Sequence, residues 1–538
     1  MKKCFPLLFL LLVSRVVLSV PAYRAWTTGI LADGSTVEVM QVGDEWYHYY
    51  VDAFGHTYTL ESASGFLVPR QPEAAAHSRQ LGAVRRHAAH VRRRLHARPQ
   101  LSPVESRRGL MILVSFSDAD FKSPATVQND WQRIANEPGY AEGSARGSVR
   151  DYFLSQSDGK FDLTFDVVGP IRLPHNYAYY GHNDAENDDE NVGELVHDAC
   201  LAVADAVNFA DYDWNADGEV DNVYFVYAGK GENDSSNPDL IWPHQWYLSE
   251  WPGYEKLEVG GVLIDTYACS SELMRNGSLS GIGTICHEFS HALGLPDMYN
   301  TETGNSVLGA WDLMDSGCYN GGRWCPVNFS AYERYCCGWL SLTELATPAT
   351  ITGMAALGSG GTAYKVVNDC DDPVVDEYYV LENRQQTGWD AFLPGSGLLV
   401  THIDYDAEAW MENTPNNVVG HLRIGYIPTS QLMTGSTVAW PGLDKDSLTD
   451  FSVPAAAVFH PNRQGRLYMG KPITNIRNEG GLVSFEFMGG SALDGMTPPL
   501  QSAPSPAASA AYSLWGRPVS STPQKGIVVR QSKKYVKK

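Results

Sequence analysis

Cysteine is missing from residues 23–199 of this 538-residue chain, and none of its nine cysteines stands in a C-x-x-C spacing. This spacing argues against a cysteine-rich zinc site, and an amino-terminal thiol that blocks a metal is excluded. Beyond Cys4 the other eight lie between Cys200 and Cys370. In an oxidising compartment they permit disulfides, Cys318 with Cys325 for example, although spacing does not fix the pairing. Basic residues are scarce as well: 40 Lys and Arg stand against 62 Asp and Glu, a formal charge of -22. A phosphate-bearing partner would meet net repulsion, which argues against nucleic acid. Such acidity suits a solubilised extracellular protein and leaves room for calcium. Long apolar runs are also lacking. Phe5 to Val13 is interrupted by Ser14-Arg15, well short of the roughly 20 residues that span a bilayer, so no transmembrane segment is expected.

What is present divides the chain. A basic start, a short apolar run and the small residues Val20 and Ala22 read as an export signal over residues 1–22, cut after Ala22. Alternating apolar and polar residues from 23 to about 70, broken at Asp33-Gly34, Gly43-Asp44 and Gly55, predict a hairpin-rich β unit. Arg85-Arg86, Arg92-Arg93-Arg94, Arg98 and Arg107-Arg108 follow. A folded knob before an arginine-rich linker reads as a propeptide, residues 23–108, with a zone open to trypsin-like cleavage; a plain solvated linker is the blander reading. From Gly109, strands (LMILVSF, DLTFDVV, VDNVYFVYAG, VLIDTYA) mix with helical patterns to about 345, predicting an α/β or α+β domain. Residues 346–488 lose helical periodicity and predict an all-β, sandwich-like module. Residues 489–510 are a low-complexity linker, and 511–538 suggest one β-hairpin with a basic tip.

The chemistry concentrates in GIGTICHEFSHALGLPDMY, residues 281–299. On a helix, positions i and i+4 share a face, so His287 and His291 can offer nitrogens to one ion. Glu288 stands beside them as a general base for a metal-bound water. Gly294 suits the left-handed residue that ends a helix, and Pro296 keeps the helix from resuming. The returning chain can then bring Asp297 as a third ligand, leaving a fourth position for water. Zinc in such a site lowers the water pKa from about 15.7 to about 7 and suits peptide-bond hydrolysis. The competing reading is an amphipathic helix with two satisfied histidines. In GAWDLMDSG, Met314 sits in a tight turn that could floor such a site, although a buried Met is more often plain packing.

Other groups carry weaker signals. Asp213, Asn215, Asp217, Gly218 and Asp221 match the first half of a calcium loop, but Tyr224 stands where a bidentate glutamate is usual and a strand pattern follows. Structural calcium is the reading taken over an Asp/Asn-rich turn. His402, Asp404 and Asp406 alternate along a strand. They read as hydrogen-bonded side chains at a domain boundary rather than a second metal site. Glu382, Asn383 and Arg384 read as a buried ion-pair patch.

HEFSHALGLPDMY followed by GAWDLMDSG resembles the metzincin-like peptidases of the immune inhibitor A family. The likeness runs from about 109 to 488 and includes WNADGEVDNVYFVYAGKGE, IWPHQW, EYYVLENRQQTGWD, LPGSGLLVTHIDYD and KPITNI. It implies His287, His291 and Asp297 as zinc ligands, Glu288 as base and Met314 as the methionine-turn residue. The commoner metzincin pattern has histidine where Asp297 stands. Tyr319 is the nearest tyrosine behind the methionine, at a spacing that does not earn it an oxyanion role. SLWGRPV, KGIVV and SKKYVKK resemble carboxy-terminal sorting signals of the type IX secretion route, implying outer-membrane secretion machinery as a partner. The expected protein is a multidomain α+β secreted zymogen: a β-rich propeptide, a metzincin-like α/β zinc endopeptidase domain and an all-β module. The rivals are an inactive surface adhesin on a peptidase fold and a zinc amidase.

Overall fold

The computed structural model describes residues 18–44, 47–61, 64–70, 105–183, 189–235, 237–430, 435–491, 511–513, 518–519, 526–530 and 533–537. The first seventeen residues of the expected export signal, the arginine clusters from 85 to 98 and nearly all of the 489–510 linker lie outside these.

The first strand, β1, is only Leu18–Ser19. Five strands follow as an antiparallel meander in chain order: β2 (Trp26–Ile30), β3 (Thr36–Asp44), β4 (Tyr47–Asp52), β5 (Thr57–Glu61) and β6 (Phe66–Pro69). This unit has a small core of Val39, Tyr50, Tyr58 and Leu67, so it depends on what it packs against.

The central sheet has six strands in the order β1-β10-β13-β9-β7-β8. Here β7 is Glu105–Ser115, β8 Phe161–Arg172, β9 Val223–Lys230, β10 His244–Tyr247 and β13 Thr266–Leu273; β11 (Leu257–Val259) and β12 (Val262–Ile264) form a separate hairpin. β8, β7, β9 and β13 run parallel, β10 pairs antiparallel with β13, and β1 pairs antiparallel with β10. Period-two alternation explains the apolar run of β7. Met111 and Leu113 enter one core while Leu110, Ile112 and Val114 enter another, as in a parallel sheet covered on both faces. Edge strand β8 buries alternate residues only, Phe161, Leu163, Phe165 and Val167. The helix Val127–Asn136 covers it with Val127, Trp131, Ile134 and Ala135, the spacing of one helical stripe. β7 begins four residues before Gly109, where the apolar run starts. β10, four residues rich in polar side chains, gave no strand signal of its own.

After residue 340 come two further sheets. One has the order β14-β16-β17-β18-β19 (Leu342–Glu344, Ala363–Val367, Asp376–Arg384, Gly397–Tyr405, Ile424–Tyr426) and the other β15-β21-β20 (Ala349–Met354, Leu482–Phe487, Ile473–Glu479). Their shared core includes Tyr379, Leu381, Leu398, Val400, Val483 and Phe485. The opposite faces of β17 and β18 present Tyr378, Val380, Leu399 and Ile403 to the core that also holds the 283–292 helix. The all-β module and the mixed sheet therefore share apolar packing, and residues up to Gly490 form one compact unit.

The carboxy-terminal unit is separate. It is a four-stranded antiparallel sheet, β23-β22-β24-β25, with β22 at Ala511–Ser513, β23 at Pro518–Val519, β24 at Gly526–Arg530 and β25 at Lys533–Lys537. The hairpin read from sequence corresponds to its β24–β25 pair.

No disulfide joins the eight described cysteines. Cys318 Sγ faces the Asp315 carbonyl at 3.5 Å, and Cys325 Sγ faces that of Trp389 at 3.4 Å. The pair offered as an example points to different acceptors, and six of the eight thiols are buried.

Candidate metal centre

The helix Gly283–Ala292 carries the site, and every residue from Gly283 to His291 is buried. It packs backbone against backbone: a Cβ at Gly283 would come within 1.9 Å of the Cys318 carbonyl oxygen, so only glycine permits the approach. At the other end Gly294 adopts φ +91°, and its N–H bonds to the His291 carbonyl at 2.9 Å. This left-handed residue turns the chain back, and Asp297 returns beneath the helix.

The two imidazoles stand 4.9 Å apart and nearly perpendicular. His287 Nδ1 donates to the Leu313 carbonyl and His291 Nδ1 to the Leu295 carbonyl, each at 2.8 Å. Each bond leaves Nε2 with its lone pair directed inward. Asp297 Oδ1 lies 3.1 Å from His287 Nε2 and 3.5 Å from His291 Nε2. Neither His287 Nε2 nor Asp297 Oδ1 makes a hydrogen bond, although both are buried. Buried polar atoms rarely stay unsatisfied, so this convergence fits a cation. Among the described residues these three side chains are the one group whose ligand atoms lie within 4.8 Å of one another.

The electrostatics agree. Burial pushes the Asp297 carboxyl up, but His291, His287 and Asn413 together hold it below its ordinary value. Burial disfavours a charge on His287, yet the Asp297 carboxylate outweighs it and raises the ring's affinity for a proton. The same attraction serves a metal cation. Burial raises the Glu288 carboxyl well above the usual range, with His287 opposing and Asp297 adding to it. Glu288 Oε2 has no hydrogen bond, while Oε1 accepts one from the Val20 N–H at 3.0 Å.

Met314 is fully buried, and its carbonyl accepts from the Met298 N–H at 2.8 Å. It follows directly the residue whose carbonyl orients His287. The Tyr319 hydroxyl donates to the Pro21 carbonyl at 2.5 Å.

The structure adds a residue that sequence reasoning missed. Asn413 Nδ2 donates to Asp297 Oδ2 and Asn413 Oδ1 accepts from the Asp297 N–H, both at 2.6 Å. Asn416 and Asn417 hold the Met298 carbonyl and Thr301 from the same loop. The one sequence trace is the asparagine-rich NTPNN, 116 residues away.

The calcium-type residues are not drawn together in the same way. Asp213 Oδ2 accepts from the Gly218 N–H at 2.8 Å, Asn215 Oδ1 from the Asp217 N–H at 2.9 Å and Asp221 Oδ2 from the Trp214 N–H at 2.5 Å. The loop is an Asx-type turn whose oxygens hold its own backbone. His402, Asp404 and Asp406 take separate partners: Glu377 at 2.8 Å, His421 at 2.6 Å, and the amides of Glu408 and Ala409 at 3.0 Å. Arg384 is fully buried between Glu382 and Asp390, with Nη2 to Asp390 Oδ1 at 2.6 Å.

A mixed sheet, a buried two-histidine helix and a returning carboxylate beside a free glutamate oxygen define a metallopeptidase type of centre. The comparisons name the family. Residues 110–338, less than half of the chain, match the immune inhibitor A peptidase M6 catalytic domain, and this stretch supports an immune inhibitor A-like metallopeptidase. It is similar to the pre-pro-metalloprotease PrtV of Vibrio cholerae, 32% identical over 213 residues, covering 35% of this chain and 23% of that protein. It is also similar to immune inhibitor A of Bacillus thuringiensis, 28% identical over 224 residues, covering 36% and 32% of the two chains. A putative secreted metallopeptidase of Arthroderma benhamiae is 22% identical over 231 residues, with 36% and 31% covered. The matched stretches thus span a third or less of these relatives. Among the described residues no helix is long and apolar enough to cross a membrane.

Proposed function

We propose that the chain is a secreted, zinc-dependent endopeptidase made as a zymogen, with His287, His291 and Asp297 holding the metal and Glu288 as general base. The observation that carries this is the convergence of two imidazole nitrogens and one carboxylate oxygen, buried and within 4.8 Å of one another, next to Glu288. The ligand set of two nitrogens and one oxygen suits zinc with a position left for water or substrate. When bound, the metal polarises the scissile carbonyl and acidifies water. Glu288 Oε2 takes the proton from the attacking water and delivers it to the departing amine. The carbonyls of Leu313 and Leu295 fix the ring orientations, and Asn413 fixes the carboxylate.

The names of the relatives, a pre-pro-metalloprotease and a putative secreted metallopeptidase among them, support export and protein substrates. Structural calcium on Asp213, Asn215, Asp217 and Asp221 belongs to the same reading. Burial, augmented by the charges of Asp217 and Asp213 and opposed by the Trp214 amide, pushes the Asp221 carboxyl up to about 6, a load that a divalent cation would relieve. Delivery by outer-membrane machinery through the 511–538 unit rests on the sequence likeness alone.

The test is metal analysis and casein cleavage of protein activated by limited proteolysis in the arginine-rich stretch. One zinc per chain and chelator-sensitive cleavage are expected. Glu288→Ala should keep the zinc and lose about 10²–10⁴-fold in rate. Unchanged cleavage by that variant would falsify the assignment.

A further inference from the structure

The all-β module meets the turn around Met314 through a buried polar joint. Asp312 is fully buried and stands directly before Leu313, whose carbonyl orients His287. Its Oδ1 accepts from the Met314 N–H, and its carbonyl from the Gly317 N–H, each at 2.9 Å. Glu333, on the helix Ala331–Cys336, accepts through Oε2 from the Ser330 N–H at 2.5 Å and the Ser330 hydroxyl at 2.9 Å. Glu382 on β17 accepts through Oε2 from the Ala331 N–H at 2.8 Å. Arg384 commits Nε and Nη2 to Asp390 at 2.8 and 2.6 Å. Five side-chain atoms remain: Asp312 Oδ2, Glu333 Oε1, Glu382 Oε1, Arg384 Nη1 and the Tyr426 hydroxyl on β19. All are buried, and none has a hydrogen bond among the described residues.

These atoms share one neighbourhood. The charges of Asp312, Glu382, Arg384 and Glu333 all act on the Tyr426 hydroxyl, and those of Glu333 and Arg384 act on Asp312. Asp312, Asp315, Glu333, Glu382 and Asp390 outnumber Arg334 and Arg384, and burial disfavours that excess of negative charge. Burial, with Glu333 and Asp315 adding, pushes the Asp312 carboxyl well above its ordinary value. A neutral Asp312 carries its proton on Oδ2, because Oδ1 accepts from Met314, and so donates into the joint. A divalent cation does not fit, since the three carboxylates do not bring oxygens within 4.8 Å of one another. Water does fit: it takes two to four polar partners in a buried place, and donors (Asp312, Tyr426, Arg384) stand here with acceptors (Glu333, Glu382).

We propose that these five groups hold a cluster of ordered water, and that through it the all-β module fixes the turn that orients His287, making Tyr426 a positioning residue of the metal centre. The consequence for the metal rests on the metallopeptidase reading. β17 and β19 supply Glu382, Arg384 and Tyr426, the turn supplies Asp312, and water joins them. A turn released from that support lets the Leu313 carbonyl shift, and the His287 ring shifts with it.

High-resolution crystallography of the full chain is the first test. Water bonded to the Tyr426 hydroxyl and to Asp312 or a glutamate is expected; direct side-chain contacts in its place, or a bound cation, overturn the inference. The second test is Tyr426→Phe, with zinc affinity measured by competition with a chromophoric chelator. A buried hydroxyl that bonds nothing can be removed without cost, whereas one that holds a water cannot. Direct partners of ligands are worth about 10–100-fold in metal affinity, so a support one step removed should cost about three- to tenfold. Tyr379→Phe is the control. It removes a buried hydroxyl bonded to the Ala457 carbonyl at 2.5 Å in the other core of the module, and should lower stability while leaving zinc affinity unchanged. Unchanged affinity in Tyr426→Phe, or an equal drop in both variants, overturns the positioning role. Should Tyr426→Phe fail to fold, the water positions in wild type decide alone. Wild type that takes up no zinc sinks the metallopeptidase reading instead, and the crystallographic water still decides the joint.

Discussion

Two clusters in this molecule are built from the same residue types, and they have opposite chemistry. Around β17 and β18, His402 pairs with Glu377, while His421 and His460 share the two oxygens of Asp404 at 2.6 and 3.1 Å. Glu377 also accepts from the amides of Phe459 and His460 and from Asn368. Each of these imidazoles has one nitrogen on a carboxylate oxygen. At the 283–292 helix two histidines and Asp297 converge instead, and His287 Nε2 and Asp297 Oδ1 are buried without a hydrogen bond. Residue type therefore does not mark a metal centre; unspent valence in a buried place does.

The largest expected effect breaks the comparison at its centre. His291→Ala should lower zinc from one per chain to a small fraction, read by metal analysis after desalting, whereas His402→Ala should leave zinc unchanged. Equal losses would mean that the first cluster is no more a metal centre than the second.

Asn413→Ala comes next. It leaves all three ligands but removes both bonds that orient Asp297. A partner of this kind is worth about 10–100-fold in metal affinity, measured by competition with a chromophoric chelator. An unchanged affinity would show that Asp297 needs no outside support.

Glu377→Gln is the smallest and sharpens the other side. Zinc should stay at one per chain while stability falls by about 1–3 kcal/mol, since a buried acceptor set is degraded. Burial pushes the Glu377 carboxyl up, but His402 and the Phe459 amide pull it below its ordinary 4.5. Its folded pKa thus lies below the unfolded one, so its stabilisation is present above about pH 4.5 and is lost as pH falls further. Urea unfolding at pH 7, 5 and 3.5 should show a shallower acid loss in Glu377→Gln than in wild type. Parallel curves would remove Glu377 from the account.

Legibility followed range. The helix period, the glycine that ends the helix and the proline behind it act over a dozen residues, so the positions of His287, Glu288, His291 and Asp297 could be read from local rules. So could the alternation of β7 and the meander after residue 25. β10 escaped because four residues such as His244–Tyr247 carry too little pattern, and a strand that short exists only because β13 pairs with it. The Asp213–Asp221 loop shows the limit of local pattern. Its oxygen spacing is that of a cation loop, but the same oxygens satisfy the loop's own amides, and spacing does not say which use prevails.

The order of residues alone determined the acidic character of the chain and the local geometry of its chemical helix, because charge sums and helical phase need no distant partner. Only the tertiary structure decided that Asn413 braces Asp297, that the eight described cysteines form no disulfide, that two strand modules share a core and that Val20 reaches Glu288. Each depends on closing loops of tens to hundreds of residues, where burial selects the partner and sequence distance carries no signal.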